Sequence, residues 1–452
     1  MDLTKDQVKQ RIIQEIDNSK DQIINFAKDI AENAETGYRE IQTAKKVREI
    51  FSRLNLSFTD GHGITGVKAS PISGRSSGPT IAVIGELDGL IVKDHPLADK
   101  VTNAVHACGH NCQLGSMFGV GLGLINAQAN QYFNGNVVLF AVPAEETIEN
   151  EFRIALIDSG KLGFISGKQE LIRQGSFDDI DMAMLSHATS IPSEKDLAVG
   201  GSSLGHMVKY VEFHGVAAHA ATAPQEGVNA LKAANIAMMA MDSQRESFED
   251  EDKVRVHGIL TEGGTSVNSI PSIAKLEWRV RGRTIEVVDK INAKIDRSIK
   301  AGALAMGAKV RIRSIAGNLP MLQDNFMNGL YLENARSVVG EQNVMLHAVD
   351  QTFGSTDMGD LSQIIPIIHP RSGGAIGTGH GNNFYIDDYE KSVLNPAKAM
   401  AMTIVDLLWH EDSKSNEILE KHKPVFTRSE YVKMQNKRMG DDFYDYSDLT
   451  AK

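Results

Sequence analysis

The chain has 452 residues, 42% of them apolar and 23% charged, with 47 basic against 58 acidic side chains and a formal net charge of −11. This ordinary globular composition excludes a disordered or collagen-like chain, and at about 150 residues per domain the length predicts two or three domains. An acidic chain without a basic stripe lacks the charge to hold a phosphate backbone, which excludes nucleic acid as a partner. Cys108 and Cys112 are the only cysteines, so there is no disulfide framework and a reducing compartment is expected. The opening segment MDLTKDQVKQRIIQEID alternates charges and lacks the apolar core of a secretory signal. The apolar run from Ala399 to Trp409 is interrupted by Thr403 and Asp406 and falls short of the roughly 20 residues of a membrane span. A cytoplasmic chain with no membrane partner is the expectation.

Residues 5 to 55 read as two helices, with Val8, Ile12, Ile16 and then Ile23, Ile24, Ala27, Ile30 at helical spacing and a break at NAETGYRE. A polar loop, SGRSSGP (73–79), precedes the apolar strand TIAVIGEL (80–87). NVVLFAV (136–142) and DMAMLS (181–186) are further strands, and Leu114 to Ala127 reads as a closely packed helix. Near-uniform apolar strands separated by helices indicate an α/β sheet covered on both faces.

Residues 206 to 315 change rhythm. A strand (HMVKYVEFH), a helix (228–241), two strands (KVRVHGIL and AKLEWRVR), a helix (287–305) and a strand (AKVRIRSI) follow in order. This β-α-β-β-α-β order is that of a ferredoxin-like module. Helix and strand patterns then resume over 327–340, 344–348, 357–369 and 391–410. The predicted organisation is a mixed-sheet α/β domain covered by helices, in two parts (1–203 and 317–410), with an inserted α+β module (204–316). A charged extension (411–452) reads as a peripheral helix and a loosely ordered end.

Five clusters carry candidate chemistry. HACGHNCQ (106–113) places His106, Cys108 and His110 two apart, so an extended segment can turn all three to one side. Thiolate and imidazole suit zinc and similar divalent ions, although a buried thiol beside loop histidines would read the same way. Cys112 is expected in the core. VPAEETIEN puts Glu145 and Glu146 at the end of an apolar strand, where α/β sheets usually bind ligands. One carboxylate can bind a cation while the other moves a proton; a solvated acidic loop is the alternative. His187 ends another apolar strand and His380 lies in the glycine-rich GTGHGNNF, places where a lone histidine is more often a hydrogen-bonded structural residue than a ligand, and GELDGL sets Glu86 and Asp88 at the end of the first strand. Carboxylates are costly to bury uncompensated, and a metal among these groups supplies the compensation.

HACGHN, PAEE, AAHAA, GGTSVNSIP, GSTDMGDLS and GTGH occur in the order found in the dinuclear-metal amidohydrolases. The chain therefore resembles that family of aminoacylases, carboxypeptidase G and aminobenzoyl-glutamate hydrolases, over about residues 20 to 410. HACGHN with GELD resembles most the aminobenzoyl-glutamate hydrolase and dipeptidase-like branch. The resemblance implies two divalent ions, zinc or manganese, held by Cys108, His110, Glu146, His187 and His380. It also implies Glu145 as general base on metal-activated water and Asp88 as the aspartate behind the metal. The inserted module becomes a lid and homodimer interface. His219 becomes a residue reaching a neighbouring subunit's site, and Asn268 and Arg281 become substrate contacts. Two positions depart from the broader pattern: Glu86 replaces a histidine, leaving its ligation open, and Gln113 replaces a histidine of the auxin-conjugate hydrolases. The implied activity is hydrolysis of an amide bond in an N-acyl amino acid, dipeptide or aminobenzoyl-glutamate. The competing readings are a non-catalytic binding or partner subunit on the same scaffold and a redox role for the two cysteines.

Overall fold

The computed structural model describes residues 3–347 and 353–448. The chain forms two compact units: residues 1–202, 322–351 and 360–428 make the first, and 203–321, 352–359 and 429–452 the second.

In the first unit the apolar runs become the strands Ser76–Glu86, Asn134–Val142 and Met182–Met184. Ser76–Glu86 pairs in parallel with both of the others, and Met182–Met184 pairs in parallel with Ile367–Ile368. Antiparallel strands Phe58–His62, Gly66–Ala69 and Ile72–Ser73 complete a mixed seven-stranded sheet. Its middle strands are buried over most of their length, which explains why their sequences are continuous rather than alternating. The helix His110–Asn126 is buried nearly throughout, and with Lys5–Asn18, Lys20–Ala31 and Asn395–Leu408 it contributes to one hydrophobic core. A second sheet of four strands contains His187–Ala188 and Arg371–Ser372 as parallel neighbours.

The amino-terminal region holds three helices, not two: Lys5–Asn18, Lys20–Ala31 and Ile41–Arg53. The chain breaks at Ser19, yet Ile16 and Ile23 are both fully buried. The apolar period runs through the break and masks it. The first strand also begins earlier than its apolar run, inside the predicted loop, with a register shift between Ser76 and Thr80.

The second unit contains the antiparallel sheet Arg255–Glu262, Ile273–Gly282, Gly205–His214, Lys309–Ala316, Gly440–Asp445, in that spatial order. Its first four strands have the ferredoxin-like arrangement. Every second residue of Ile273–Gly282 is buried, the period of a sheet with one covered face. The helices Ala230–Ser243 and Ile285–Met306 contribute Ala233, Ala234, Ala237, Ile291, Ile295 and Ile299 to the core with that sheet.

The charged carboxy-terminal region is more regular than a helix with a loose end. It forms helices Lys414–Lys421 and Arg428–Arg438 and the edge strand Gly440–Asp445. The strand expected over 344–348 is present as Val344–His347; its last residue, and residues 449–452 of the tail, lie outside the described residues.

Candidate metal centre

Parallel pairing sets the site. Glu86 is in register with Val142, so Leu87–Asp88 and Pro143–Glu146 leave the sheet side by side at its carboxyl edge, where α/β folds gather functional groups. Met182–Met184 runs in the same direction and leads to His187. The Cys108–Gly109–His110 segment enters the helix His110–Asn126 through Gly109, whose φ is +82°. Glycine adopts this left-handed conformation without penalty, and a Cβ there would sit 3.0 Å from the Ala188 Cβ. His380 is anchored by its N–H to the carbonyl of Ala107 at 2.9 Å, so the carboxy-terminal loop meets the cysteine segment.

Three groups of donor atoms, each mutually within 4.8 Å, follow: Cys108 with His110 and His187; Cys108 with Glu146 and His380; and Glu86 with His110 and Glu145. Cys108 belongs to the first two groups and His110 to the first and third. The first two contain all five residues expected as ligands. His106 belongs to none of these groups; it is buried, both ring nitrogens lack partners, and burial lowers its pKa to about 3.

The imidazoles are aimed from behind. His187 Nδ1 contacts the Ala188 carbonyl at 2.7 Å, leaving Nε2 3.3 Å from Cys108 Sγ. His110 Nδ1 contacts the Asp88 carbonyl at 2.8 Å, and its Nε2 lies 3.1 Å from Glu86 Oε2. A carbonyl at one ring nitrogen fixes the tautomer that leaves the other as a ligand. Asp88 is fully buried and its carboxylate accepts the N–H groups of Glu145 at 3.2 Å and Glu146 at 2.9 Å.

The groups polarise one another. Burial and Glu146 push the Cys108 thiol up, and the imidazoles of His187 and His110 outweigh them, holding it at about 6. Burial likewise raises Glu146, but His380 and His110 bring it down to about 2. Hydrogen bonds to Cys108 and Glu146 raise His380 to about 11. His110 Nε2 and Glu146 Oε1 are buried without a hydrogen bond of good geometry, although the first faces the carboxylate oxygen Glu86 Oε2 across 3.1 Å and the second the imidazole nitrogen His380 Nε2 across 3.2 Å. Thiolate, imidazole and carboxylate donors crowded in this way, with unsatisfied atoms turned inward, fit a divalent cation.

Sequence reasoning missed two residues here. Lys168 Nζ lies 2.5 Å from Glu86 Oε1. Gln113, noted only as a departure, donates to Glu86 Oε2 at 2.8 Å and accepts the Glu86 N–H at 3.0 Å.

His219, Asn268 and Arg281 belong to the second unit and to none of the donor groups. His219 Nδ1 accepts the N–H groups of Ala221 and Thr222 at 3.2 and 3.1 Å, which directs any donation to Nε2. The Asn268 carbonyl accepts the Ala220 N–H at 2.9 Å, bringing the AAHAA and SVNSIP loops together. Arg281 donates to His257 Nε2 at 3.2 Å and Ser355 Oγ at 2.8 Å.

The sheet edge and its donor set define a metal-dependent hydrolase of amide bonds. Residues 202–306 match the family pattern of a peptidase dimerisation domain. The chain is 31% identical to a Xaa-Arg dipeptidase of Mus musculus over 317 residues, 67% of each chain. It is 25% identical to an N-acetylcysteine deacetylase of Bacillus subtilis over 356 residues, 76% of this chain and 86% of the other. A solved dinuclear metal-binding peptidase of the M20 family from Bacillus subtilis superposes with a TM-score of 0.62 at 21% identity, covering 85% of this chain and 97% of that one. The chain belongs to the M20 family of peptidases.

Proposed function

We propose that the protein hydrolyses the amide bond of a small N-acyl amino acid, dipeptide or aminobenzoyl-glutamate, with Cys108, His110, Glu146, His187 and His380 holding two divalent ions, zinc or manganese. The convergence of these five side chains from four separate segments carries the reading. Relatives named as a dipeptidase and a deacetylase support the substrate class. When bound, the ions supply Lewis acidity to the amide carbonyl and make water more acidic.

Glu145 is the proton carrier. Its neighbour Glu146 is committed to the Cys108 and His380 group, whereas Glu145 shares a group with Glu86 and His110. Asp88 holds both backbone N–H groups, so the two carboxylates keep different headings. Glu145 takes a proton from attacking water and returns it to the leaving nitrogen, a role contributing about 10²- to 10⁴-fold. His219, through Nε2, donates to the developing oxyanion, Asn268 contacts the substrate, and the Arg281 guanidinium pairs with a substrate carboxylate.

The first unit is the catalytic domain. The inserted module is a lid that pairs two copies of the chain, as the dimerisation-domain match supports. A cytoplasmic location agrees with two free cysteines, and no helix among the described residues is long and apolar enough to cross a membrane.

The test is an amide panel of N-acetyl amino acids, dipeptides and aminobenzoyl-glutamate, run on protein reconstituted separately with zinc and manganese. Turnover that disappears in Glu145→Gln while two ions per chain remain is the expected result. Survival of turnover in that variant removes Glu145 from the mechanism, and a chain that takes up no metal removes the whole reading.

A further inference from the structure

The motif NAETGYRE has no chemical role in the reading above, yet its residues surround the acidic pair. Glu40, with no solvent exposure, lies in this segment immediately before the helix Ile41–Arg53. Its Oε1 accepts the N–H of Ala144 at 2.9 Å, and its Oε2 accepts the Thr65 hydroxyl at 2.7 Å. The next two N–H groups, those of Glu145 and Glu146, go to Asp88. Two buried carboxyl side chains thus capture three consecutive backbone amides.

The carbonyl side is held as well. Arg153 is fully buried, in the helix Asn150–Asp158. Its guanidinium donates to the carbonyls of Ala144 at 3.3 Å and Ile165 at 2.8 Å, and also to that of Glu146. Planar donor geometry lets one side chain span both ends of the turn, which an ammonium cannot do. Ala144 sits at φ +55°, a conformation that a non-glycine residue keeps only where its surroundings over-determine it.

The same motif steadies Asp88. The Glu35 carbonyl accepts the Gly89 N–H at 2.8 Å, and Thr36 bridges to Gly89 in parallel. Gly37 lies flush against the turn, and a Cβ there would stand 2.9 Å from the Ala144 Cα. One short segment therefore braces both the strand end bearing Asp88 and the turn bearing Glu145 and Glu146.

We propose that Glu40 and Arg153 are positioning residues that clamp the Ala144–Glu146 turn from its N–H and carbonyl sides, fixing where Glu145 and Glu146 point. The proposal rests on the metal-centre reading given above. Neither residue belongs to a candidate donor group; both act through backbone atoms. A misplacement of about 1 Å in such an arrangement costs on the order of 10²-fold in rate.

The experiment loads the full chain with Co(II) and compares wild type with Glu40→Met, Arg153→Lys and Glu40→Gln. Three readouts are taken: bound cobalt, its visible absorption, and kcat and KM on whichever amide the wild type cleaves. Glu40→Met and Arg153→Lys are expected to bind cobalt in the wild-type ratio with a shifted absorption. Their kcat falls on the order of 10²-fold while KM stays within about threefold. Glu40→Gln, which keeps an acceptor for Ala144, retains most of kcat. Folded variants with the wild-type spectrum and kcat overturn the clamp. Where circular dichroism shows either variant unfolded, Thr65→Val decides, because it frees one Glu40 oxygen without emptying the site. A shifted spectrum with lowered kcat upholds the proposal, and no change in either overturns it. A wild-type chain that binds no cobalt sinks the metal-centre reading, and the clamp with it; wild-type cobalt binding with unmoved variants sinks the clamp alone.

Discussion

Lys168 Nζ lies 2.5 Å from Glu86 Oε1, and the two side chains are 0% and 1% exposed. Burial raises the Glu86 carboxyl, while Lys168 and His110 outweigh it and hold it well below the usual carboxylate range. The ion pair therefore keeps a charged carboxylate at the position where the broader family pattern has histidine. Removing one partner of such a pair leaves buried charge uncompensated, at about 3–5 kcal/mol. Lys168→Met is expected to lose stability of that order in urea unfolding, and Glu86→Gln combined with it to recover a good part. A loss in the double variant equal to the sum of the Lys168→Met and Glu86→Gln losses would show that the pair carries no coupling.

The two cysteines are predicted to differ chemically. Burial pushes the Cys112 thiol up, and its side chain is 1% exposed. Cys108 is partly exposed and its thiol is held at about 6 by His187 and His110 against burial and Glu146. Thiolate content and access together govern alkylation. Iodoacetamide on the chelated protein at pH 7 is expected to label Cys108, and added zinc to suppress that labelling. Cys112→Ser leaves the pattern unchanged, and Cys108→Ser abolishes it. Labelling of Cys112 at a comparable rate would refute the assignment of the buried and reactive thiols.

These cases show what the sequence could and could not display. Cys108, His110, Glu146, His187 and His380 were legible because their short motifs occur in the order of a known family, and the structure brings them into two overlapping donor groups. Glu40, Arg153 and Lys168 were not. GKQELIRQG carries no recognisable motif, yet residues 167 to 172 are all buried. A single lysine or arginine announces nothing about a partner 82 positions away, as Glu86 is from Lys168. The period-two and continuous apolar patterns disclosed Ser76–Glu86, Asn134–Val142 and Met182–Met184 and the four strands of the inserted module, since burial on one face or two writes directly into residue choice, but not Phe58–His62, Gly66–Ala69, Ile72–Ser73 or Leu197–Gly200. The Ser19 break and the terminal strand carry no such imprint.

Glu40 gives a pH signature with a definite sign. Burial, then the charge of Asp88, raises its pKa from 4.5 to about 8. The neutral carboxyl is thus the form the fold favours, and its contribution to stability is complete below about pH 4.5. Between there and about pH 8 the unfolded chain has released this proton while the folded chain retains it. Stability falls across that window with a limiting slope of about 1.4 kcal/mol per pH unit for one proton. Glu40→Gln mimics the neutral form and should not show this component. Urea midpoints at pH 5 and pH 8.5 are expected to diverge, with the wild type declining relative to the variant. A constant difference across the range would mean that Glu40 ionises normally.

The strand Gly440–Asp445 makes the last prediction, because it closes an edge. It pairs antiparallel with Lys309–Ala316 from Lys309↔Asp445 to Ser314↔Gly440. Arg311 grips Asp441 through two hydrogen bonds, at 2.7 and 2.6 Å, and Lys309 lies 2.9 Å from Asp445. Exposed ion pairs contribute little individually, but the strand also places Tyr444 against the second core, with the Lys300 ammonium 4.0 Å above its ring. Its residues are acidic and largely exposed, so the segment reads as a solvated tail until its partner strand is known. A chain ending at residue 439 should unfold about 1–3 kcal/mol more easily, reflecting the lost ladder and aromatic contact. It should also show concentration-dependent light scattering, since Lys309–Ala316 becomes a bare edge. Cobalt or zinc uptake should be unchanged, because every donor lies in the other unit. A truncated chain as stable and monodisperse as the full one would show that the strand protects nothing.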